Sequence, residues 1–151
     1  MTRLALLASV ALLGLAAAPA QAGFRINRSM DGVRLGMSRA EVRDVKGSPA
    51  DRDLGPDFVS WTYRRPRMEV VFKPRVITLF TSSRAIRGPG NIGVGTRVRR
   101  LEAVIDRPLR CSSAEGGRFC VVGSFDDGRR NTVFSVTAGR VDSITIGIST
   151  P

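Results

Sequence analysis

One segment of the chain occurs twice in a similar form. Residues 33–45 align without a gap with residues 92–104, at an offset of 59 residues. A glycine and four aliphatic positions match, and the same offset brings Pro49 onto Pro108. Matches in one register across a whole segment indicate an internal duplication, in which each copy is one structural unit. We therefore expect a first unit at about 32–83, a linker at 84–90 and a second unit at about 91–149.

Each unit has the sequence pattern of a short helix followed by three strands. The helices are predicted at about 38–46 and 96–105. Ser38 and Thr96 are their candidate N-caps, and Glu41 has capping-box spacing from Ser38. The apolar spacing of three predicts four core-facing helix residues, Val42, Val45, Leu101 and Val104. Alternating stretches predict strands at 58–64, 67–73, 75–82, 118–125, 130–138 and 140–148. The expected fold is α+β, with two tandem helix-plus-three-stranded antiparallel sheet repeats packed as one domain.

Alternation in the predicted strands separates two faces of the sheet. Trp61 and Tyr63 fall on the apolar side, where we expect them in the core; the alternative is an aromatic platform for a ligand. The opposite side is rich in hydroxyl groups, and helices would cover only the apolar side. The open side is therefore the candidate binding face, with the residues Ser60, Thr62, Arg64, Ser135, Thr137, Ser143 and Thr145.

The start of the chain has the three parts of a secretory signal peptide. Arg3 gives a positive charge, residues 4–18 are an uncharged apolar run with Ser9 as its one polar side chain, and residues 20–22 offer small side chains for cleavage. A membrane anchor is the alternative, but the run is shorter than the ~20 residues of a spanning helix. We expect a signal peptide at 1–22 and a single exported domain at 23–151. No cysteine stands at the cleavage site, so we expect a secreted, periplasmic or envelope protein with neither a lipid anchor nor a transmembrane segment.

Cys111 and Cys120 are the two cysteines of the sequence. An even number of cysteines in an exported chain predicts a disulfide. Residues 114–117 between them can turn the chain, so that the two sulfur atoms meet across a loop or hairpin. The alternative is a redox-active pair, which needs the shorter spacing of a Cys-x-x-Cys motif. We therefore expect a structural bond.

The chain is strongly basic, with a formal net charge of +11 at pH 7. Such a charge attracts anionic polymers and lipid head groups; the alternative is a basic surface that is merely solvated. We expect no nucleic-acid partner for an exported protein. The candidate anion-binding residues occur in clusters and are Arg64, Arg65, Arg67, Arg97, Arg99, Arg100, Arg129 and Arg130.

The residue types argue against catalysis. The sequence has no histidine, which removes the usual nucleophile–histidine pairs and the usual zinc sites. Asp126 and Asp127 are the closest carboxylate pair, but they precede Gly128 in a predicted turn. A calcium site within residues 51–57 would lack the glycine and the terminal glutamate of an EF-hand loop. We expect no cofactor, no metal and no enzymatic activity; the remote alternative is a carboxylate-dependent hydrolase.

Several short motifs resemble those of a known superfamily. They are Gly36-Met37-Ser38-x-x-Glu41-Val42, Gly47-x-Pro49, Trp61-x-Tyr63 and Val70-Val71-Phe72, with weaker matches at Gly95, Thr96, Leu101 and Pro108. The pattern is similar to that of the small lipoprotein of the outer-membrane barrel-assembly machine and of the tandem-repeat β-lactamase inhibitor proteins. The resemblance implies a helix or helix pair followed by an antiparallel sheet, used twice, and non-catalytic protein binding. The leading hypothesis is an exported module with an unknown protein partner, and the alternative is electrostatic binding of an anionic envelope polymer or lipid.

Overall fold

A computed structural model describes residues 23–114 and 117–151 of the chain. The predicted signal peptide at 1–22 lies outside the described residues, as do Glu115 and Gly116 of the predicted turn. None of the helices in the described ranges is long and apolar enough to cross a membrane.

Strands dominate the described part of the chain. In chain order, the elements are β1 (Phe24–Arg25), β2 (Ser29–Met30), β3 (Val33–Arg34), α1 (Arg39–Lys46), β4 (Asp51–Leu54), β5 (Val59–Arg64), β6 (Arg67–Phe72), β7 (Val76–Thr81), a 3-10 turn (Pro89–Asn91), α2 (Val98–Val104), β8 (Leu109–Ala114), β9 (Gly117–Gly123), β10 (Arg130–Thr137) and β11 (Arg140–Ile148).

Eight of the strands form one antiparallel sheet, in the order β4-β5-β6-β7-β11-β10-β9-β8. The two halves of the chain meet in the middle of this sheet, where β7 pairs with β11 and Thr81 lies opposite Ile144. β4 and β8 are the edge strands. The three two-residue strands β1, β2 and β3 form a separate small sheet. The protein is therefore built around a single wide sheet.

The hydrophobic core lies on one side of the wide sheet. Strand residues such as Phe72 and Phe134 are fully buried there, in one cluster with Val42 of α1 and Leu101 of α2. The small sheet joins the same layer, because the ring of Phe24 on β1 meets the ring of Phe134 edge-on, with 6.1 Å between the centroids. The helices and the small sheet thus cover this side of the wide sheet.

The expected α+β class with two helix-plus-three-strand repeats is wrong. Each helix is followed by four strands, all eight of these strands share one sheet, and the protein is mostly β. The sequence pattern misses β4 because Asp51–Leu54 is exposed throughout and has no apolar alternation. It misses β8 because that strand carries mostly small and polar residues directly after Pro108. The six predicted strands are confirmed within two residues of their predicted ends.

The predicted capping box is present at the start of α1. The backbone N–H of Ser38 donates to Glu41 Oε2 at 2.7 Å, and the Ser38 hydroxyl accepts from the Glu41 N–H at 3.3 Å. The predicted cap of α2 is wrong. Arg97 occupies the N-cap position, and the hydroxyl of Thr96 accepts from the Gly93 N–H at 2.9 Å instead.

The predicted helix faces are half correct. Val42 and Leu101 are fully buried, whereas Val45 is 49 % exposed and Val104 is half-buried. In an α-helix, a residue three positions further along is rotated by about 60° from the first. Each short helix therefore places the first residue of its pair against the sheet. The second residue lies at the edge of the helix–sheet contact.

Acid is expected to loosen the start of α1. The backbone N–H and the hydroxyl of Ser38 hold the pKa of the Glu41 carboxyl below its ordinary value of 4.5. With a lowered pKa, the stabilisation is complete above the ordinary value and is lost as the pH falls through the lower value of the folded protein. Hydrogen exchange of the α1 amides at pH 6 and pH 3, corrected for intrinsic rates, measures this. Glu41→Gln does not titrate and should show the smaller acid response; equal responses would contradict the prediction.

The expected disulfide between Cys111 and Cys120 is confirmed. The two residues are direct cross-strand partners in β8 and β9, with Cα atoms 4.0 Å apart, and Cys120 is fully buried. In the chain-entropy model, closing so short a loop stabilises the folded state by about 2.5–3 kcal/mol. The bond fastens β8, which has only one neighbouring strand, to the rest of the sheet.

Candidate binding surface

The side of the wide sheet opposite the core is here called the open face. Strand register defines its residues, because Thr62 lies opposite Glu69, and Phe80 lies opposite Thr145. Side chains that are opposite one another on neighbouring strands point to the same side of a sheet. From one edge strand to the other, the central row of the open face is Asp51, Thr62, Glu69, Phe80, Thr145, Val133, Val121 and Arg110.

Five apolar side chains lie in the middle of the open face, on both sides of Thr145. Phe80, Val133 and Val121 belong to the central row, and Val71 and Phe119 belong to the neighbouring rows. These five residues are called the apolar patch. Val121 is only 4 % exposed although it is not part of the core cluster, and the other four are half-buried. The patch is therefore an apolar surface separate from the core.

The open face contains all seven residues of the predicted binding face. Thr62 and Thr145 belong to the central row, and the other five lie beside it: Ser60, Arg64, Ser135, Thr137 and Ser143. Three of the hydroxyls are already engaged within the protein, and one of them is Ser143, which donates to Asp142 Oδ1 at 3.4 Å. Ser60 is 6 % exposed and donates to Glu69 Oε1 at 2.6 Å, and Thr137 donates to Asp142 Oδ2 at 2.8 Å. Of the remaining hydroxyls, Thr145 lies between Phe80 and Val133 in the central row, and Ser135 lies opposite Phe119.

The sequence pattern does not reveal the apolar patch. It predicts a hydroxyl-rich open face, because β5, β10 and β11 alternate between apolar residues and serine or threonine. The sequences of β7 and β9 are the ones from which the apolar patch could have been predicted. Leu79 and Phe80 are consecutive apolar residues in β7, and residues 119–122 are four consecutive apolar residues in β9. Strands that are apolar on both faces carry apolar side chains to the open side as well.

Trp61 and Tyr63 lie in the core, as expected, and do not form an exposed platform. The guanidinium groups of Arg43 and Arg52 both lie over the Trp61 ring, with their central carbon atoms 5.4 Å and 5.5 Å from the ring centroid. The Tyr63 hydroxyl donates to the carbonyl of Gly47 at 3.3 Å, and burial raises the pKa of this phenol. Arginine over an aromatic face is a favourable contact, so this pair anchors α1 and β4.

The structure divides the predicted anion-binding arginines between the two ends of the wide sheet. Residues 64–67 form the β5–β6 hairpin, and Arg97 lies by the turn between β10 and β11 at the same end. Arg99 follows Arg97 in the first turn of α2. Arg129 and Arg130 lie at the opposite end, where β10 begins. The guanidinium of Arg100, also on α2, donates to the carbonyl of Gly90 at 3.3 Å. The eight residues therefore do not form one site.

The acidic residues considered for chemistry have local roles. Asp57 forms an ion pair with Lys73 at 2.8 Å, and the hydrogen bond from Lys73 lowers the pKa of the Asp57 carboxyl. Asp126 accepts a hydrogen bond from the hydroxyl of Ser124 in the loop between β9 and β10. Within residues 23–114 and 117–151, no group of three or more acidic or cysteine side chains is placed to hold a metal ion.

No protein-family model matches the chain, and no curated protein matches it in sequence. Its fold is shared with solved structures. An extracellular protein containing an SCP domain from Bacillus anthracis matches with a TM-score of 0.54 and 8 % sequence identity over 76 % of this chain. A cysteine-rich secretory protein from Staphylococcus aureus matches with a TM-score of 0.51 and 8 % identity over 76 % of this chain. The chain spans 44 % of the length of each of these proteins. At this identity, the likeness concerns the fold alone.

The expected membership in the superfamily of assembly lipoproteins and β-lactamase inhibitor proteins is wrong. No family model supports it, and the structural neighbours are an SCP-domain protein and a cysteine-rich secretory protein. The comparisons give no support to the internal duplication either. The motifs that carried the resemblance have local causes in this fold, because Ser38 and Glu41 cap a helix and Trp61 and Tyr63 fill the core. Capping boxes and aromatic core pairs arise in many unrelated folds.

Proposed function

We propose that the protein is an exported, non-catalytic binding module that contacts a protein partner through the open face. The observation that carries the proposal is the apolar patch at the centre of that face. Hydroxyl and charged side chains surround the patch, among them Thr62, Glu69 and Arg110. An apolar centre with a polar rim is the usual anatomy of a protein–protein interface, and grouped apolar side chains on a free surface are typical of interaction sites.

The dimensions of the open face favour a protein partner over a small molecule. With ~4.8 Å between strands and ~3.3 Å per residue, eight strands of about five residues span roughly 34 Å by 17 Å. One partner's share of a standard protein interface is about 800 Å², which is of the same order. Small molecules instead bind in concave pockets that enclose most of their surface, whereas the open face is broad.

Three observations support export. The segment at 1–22 has the sequence pattern of a secretory signal peptide. The Cys111–Cys120 disulfide fits an oxidising compartment. The two structural neighbours are described as extracellular and secretory proteins. The proposed location is therefore the extracellular space, the periplasm or the cell envelope.

Capture of a partner from the extracellular or envelope fraction tests the proposal. The purified protein is the bait, and Phe80→Arg is the variant, because Phe80 lies in the central row between Glu69 and Thr145. We expect the wild type to retain one stoichiometric protein at both low and moderate salt. Phe80→Arg should bind that protein at least ~10-fold more weakly, since an unpaired charge within an apolar interface is costly.

Phe125→Arg is the matched control for this experiment. Phe125 is 59 % exposed, lies in the loop between β9 and β10, and receives the same substitution outside the open face. Its affinity should stay within about twofold of the wild type, while circular dichroism checks that both variants are folded. Equal loss in the two variants would contradict the proposal. So would recovery of nothing but anionic polymer that is released by salt.

A further inference from the structure

Six arginines gather where α2 begins and β10 turns into β11. Arg97, the N-cap residue of α2, pairs with Arg140 through an isolated antiparallel bridge. Arg118 on β9 lies opposite Val136, close to the same turn. The group is called the arginine cluster and consists of Arg84, Arg87, Arg97, Arg99, Arg118 and Arg140. Only Arg97 and Arg99 are among the arginines that the sequence pattern singles out.

The arginine cluster lines two adjoining cavities. The larger has a volume of about 620 Å³, and its arginines are Arg97, Arg99, Arg118 and Arg140. The smaller has a volume of about 340 Å³, and its arginines are Arg84, Arg87 and Arg140. Arg140 is common to both, so the two cavities form one basic surface. Glu102 is the single acidic residue that lines either cavity.

The charges of the arginine cluster are not neutralised within the part of the chain that the structure describes. The ion pairs formed there involve Lys46, Lys73 and Arg75, and none involves a member of the cluster. Two members are instead held by backbone carbonyls. Arg87 donates to the carbonyl of Val94 at 3.3 Å, and Arg140 donates to the carbonyl of Gly95 at 2.9 Å. These hydrogen bonds orient the guanidinium groups without cancelling their charge.

Like charges that a fold gathers on one surface repel one another, which opposes folding. Arg97 and Arg140 face each other across the isolated bridge, and like charges repel in this arrangement as they do on neighbouring strands. A ligand that carries several negative charges would remove this repulsion. The planar guanidinium group matches phosphate oxygens with two parallel hydrogen bonds, so repeated phosphate groups complement the cluster best.

We propose that the arginine cluster binds a soluble linear polyanion that carries phosphate groups. A polymer fits better than a lipid surface, because the adjacent turn consists of Ala138 and Gly139 and offers no large apolar side chain for insertion. The two most exposed large apolar side chains, Leu54 and Phe125, lie at the opposite end of the wide sheet. The site includes no residue of the apolar patch, so it does not depend on the protein partner proposed above.

Calorimetric titration with inorganic polyphosphate tests the site. The variant is Arg97→Gln with Arg118→Gln, and the matched control is Arg129→Gln with Arg130→Gln, which removes the same charge at the opposite end of the sheet. We expect the first double variant to bind at least ~10-fold more weakly and the control to stay within about twofold. The slope of log K against log salt should become shallower by about 1.5–2 in the first variant alone, as counterion release predicts.

Thermal unfolding without ligand separates binding from folding. The double variant Arg97→Gln with Arg118→Gln should keep or raise the melting temperature, because it relieves repulsion between arginines. Its weaker binding would then not be due to loss of structure. Equal weakening in both double variants would overturn the proposal in favour of net charge alone. Binding to phosphatidylglycerol vesicles without binding to polyphosphate would overturn it in favour of a lipid surface. No binding to either probe would overturn it as well.

Discussion

Replacement of Phe134 by alanine is expected to destabilise the protein by about 3–5 kcal/mol. Phe134 is 0 % exposed and lies between Cys120 on β9 and Ile144 on β11. Its ring also meets the ring of Phe24, so it joins the wide sheet to the small sheet. Truncation removes buried apolar surface and leaves a cavity that two sheets would have to close. The loss would be a large fraction of the 5–15 kcal/mol by which domains of this kind are usually stable.

Urea unfolding of Phe134→Ala beside Val133→Ala measures this effect. Val133 is the preceding residue on the same strand, but it points to the open face and is half-buried. Its truncation should cost only about 1 kcal/mol, because fewer methyl groups leave a packed environment. A Phe134→Ala loss no greater than that of Val133→Ala would show that the core does not lie on this side of the sheet.

Replacement of Gly123 by alanine is expected to cost about 3 kcal/mol. Gly123 ends β9 with a φ angle of +103°, a backbone conformation that favours glycine. A Cβ atom there would lie 2.3 Å from the carbonyl oxygen of Arg130 and 3.0 Å from the Cα atom of Asn131. Both neighbours are backbone atoms of the adjacent strand, so relief requires the β9–β10 pair to shift. Conformational strain of this kind costs about 1–3 kcal/mol, and the steric conflict is added to it.

Gly128→Ala separates the two contributions to this loss. Gly128 also has a positive φ angle, +71°, but an added Cβ would meet nothing within 4 Å. Its substitution should therefore carry only the conformational cost, about 1–2 kcal/mol. Chemical unfolding of both variants under the same conditions gives the comparison. Equal losses of stability would mean that the close approach of the Arg130 carbonyl to Gly123 does not contribute to the cost of the substitution.

Local features of the fold follow from the sequence, and long-range features do not. The capping box depends on Ser38 and Glu41 alone, so its spacing is sufficient to predict it. The strands around Phe134 and Ile144 follow from the alternation of buried and open side chains. The pairing of β7 with β11 joins segments more than sixty residues apart, and no local pattern specifies it. β4 was not predicted for a related reason. It is an edge strand that buries none of its side chains, so its sequence has no apolar alternation.

The candidate sites also contain local features that the sequence predicts and long-range features that it does not. The hydroxyls of the open face are predictable, because Ser60 and Thr62 alternate with Trp61 and Tyr63 along one strand. The apolar patch is not predictable, since it arises only when the fold brings Val71, Phe80 and Val133 from three strands to the same face of the sheet. The arginine cluster likewise needs the tertiary fold. The bridge between Arg97 and Arg140 connects two positions that have no sequence relationship.

The two edge strands of the wide sheet have features that disfavour pairing with a further chain. An edge strand presents unpaired backbone groups that can template the addition of a further chain, as in a cross-β fibril. β4 is only four residues long, alternates Asp51, Arg52 and Asp53, and is followed by a glycine and a proline. β8 is fastened by its disulfide and carries Arg110 beside the apolar patch. Short, charged and fastened edges oppose self-association, so the open face remains available to a different molecule.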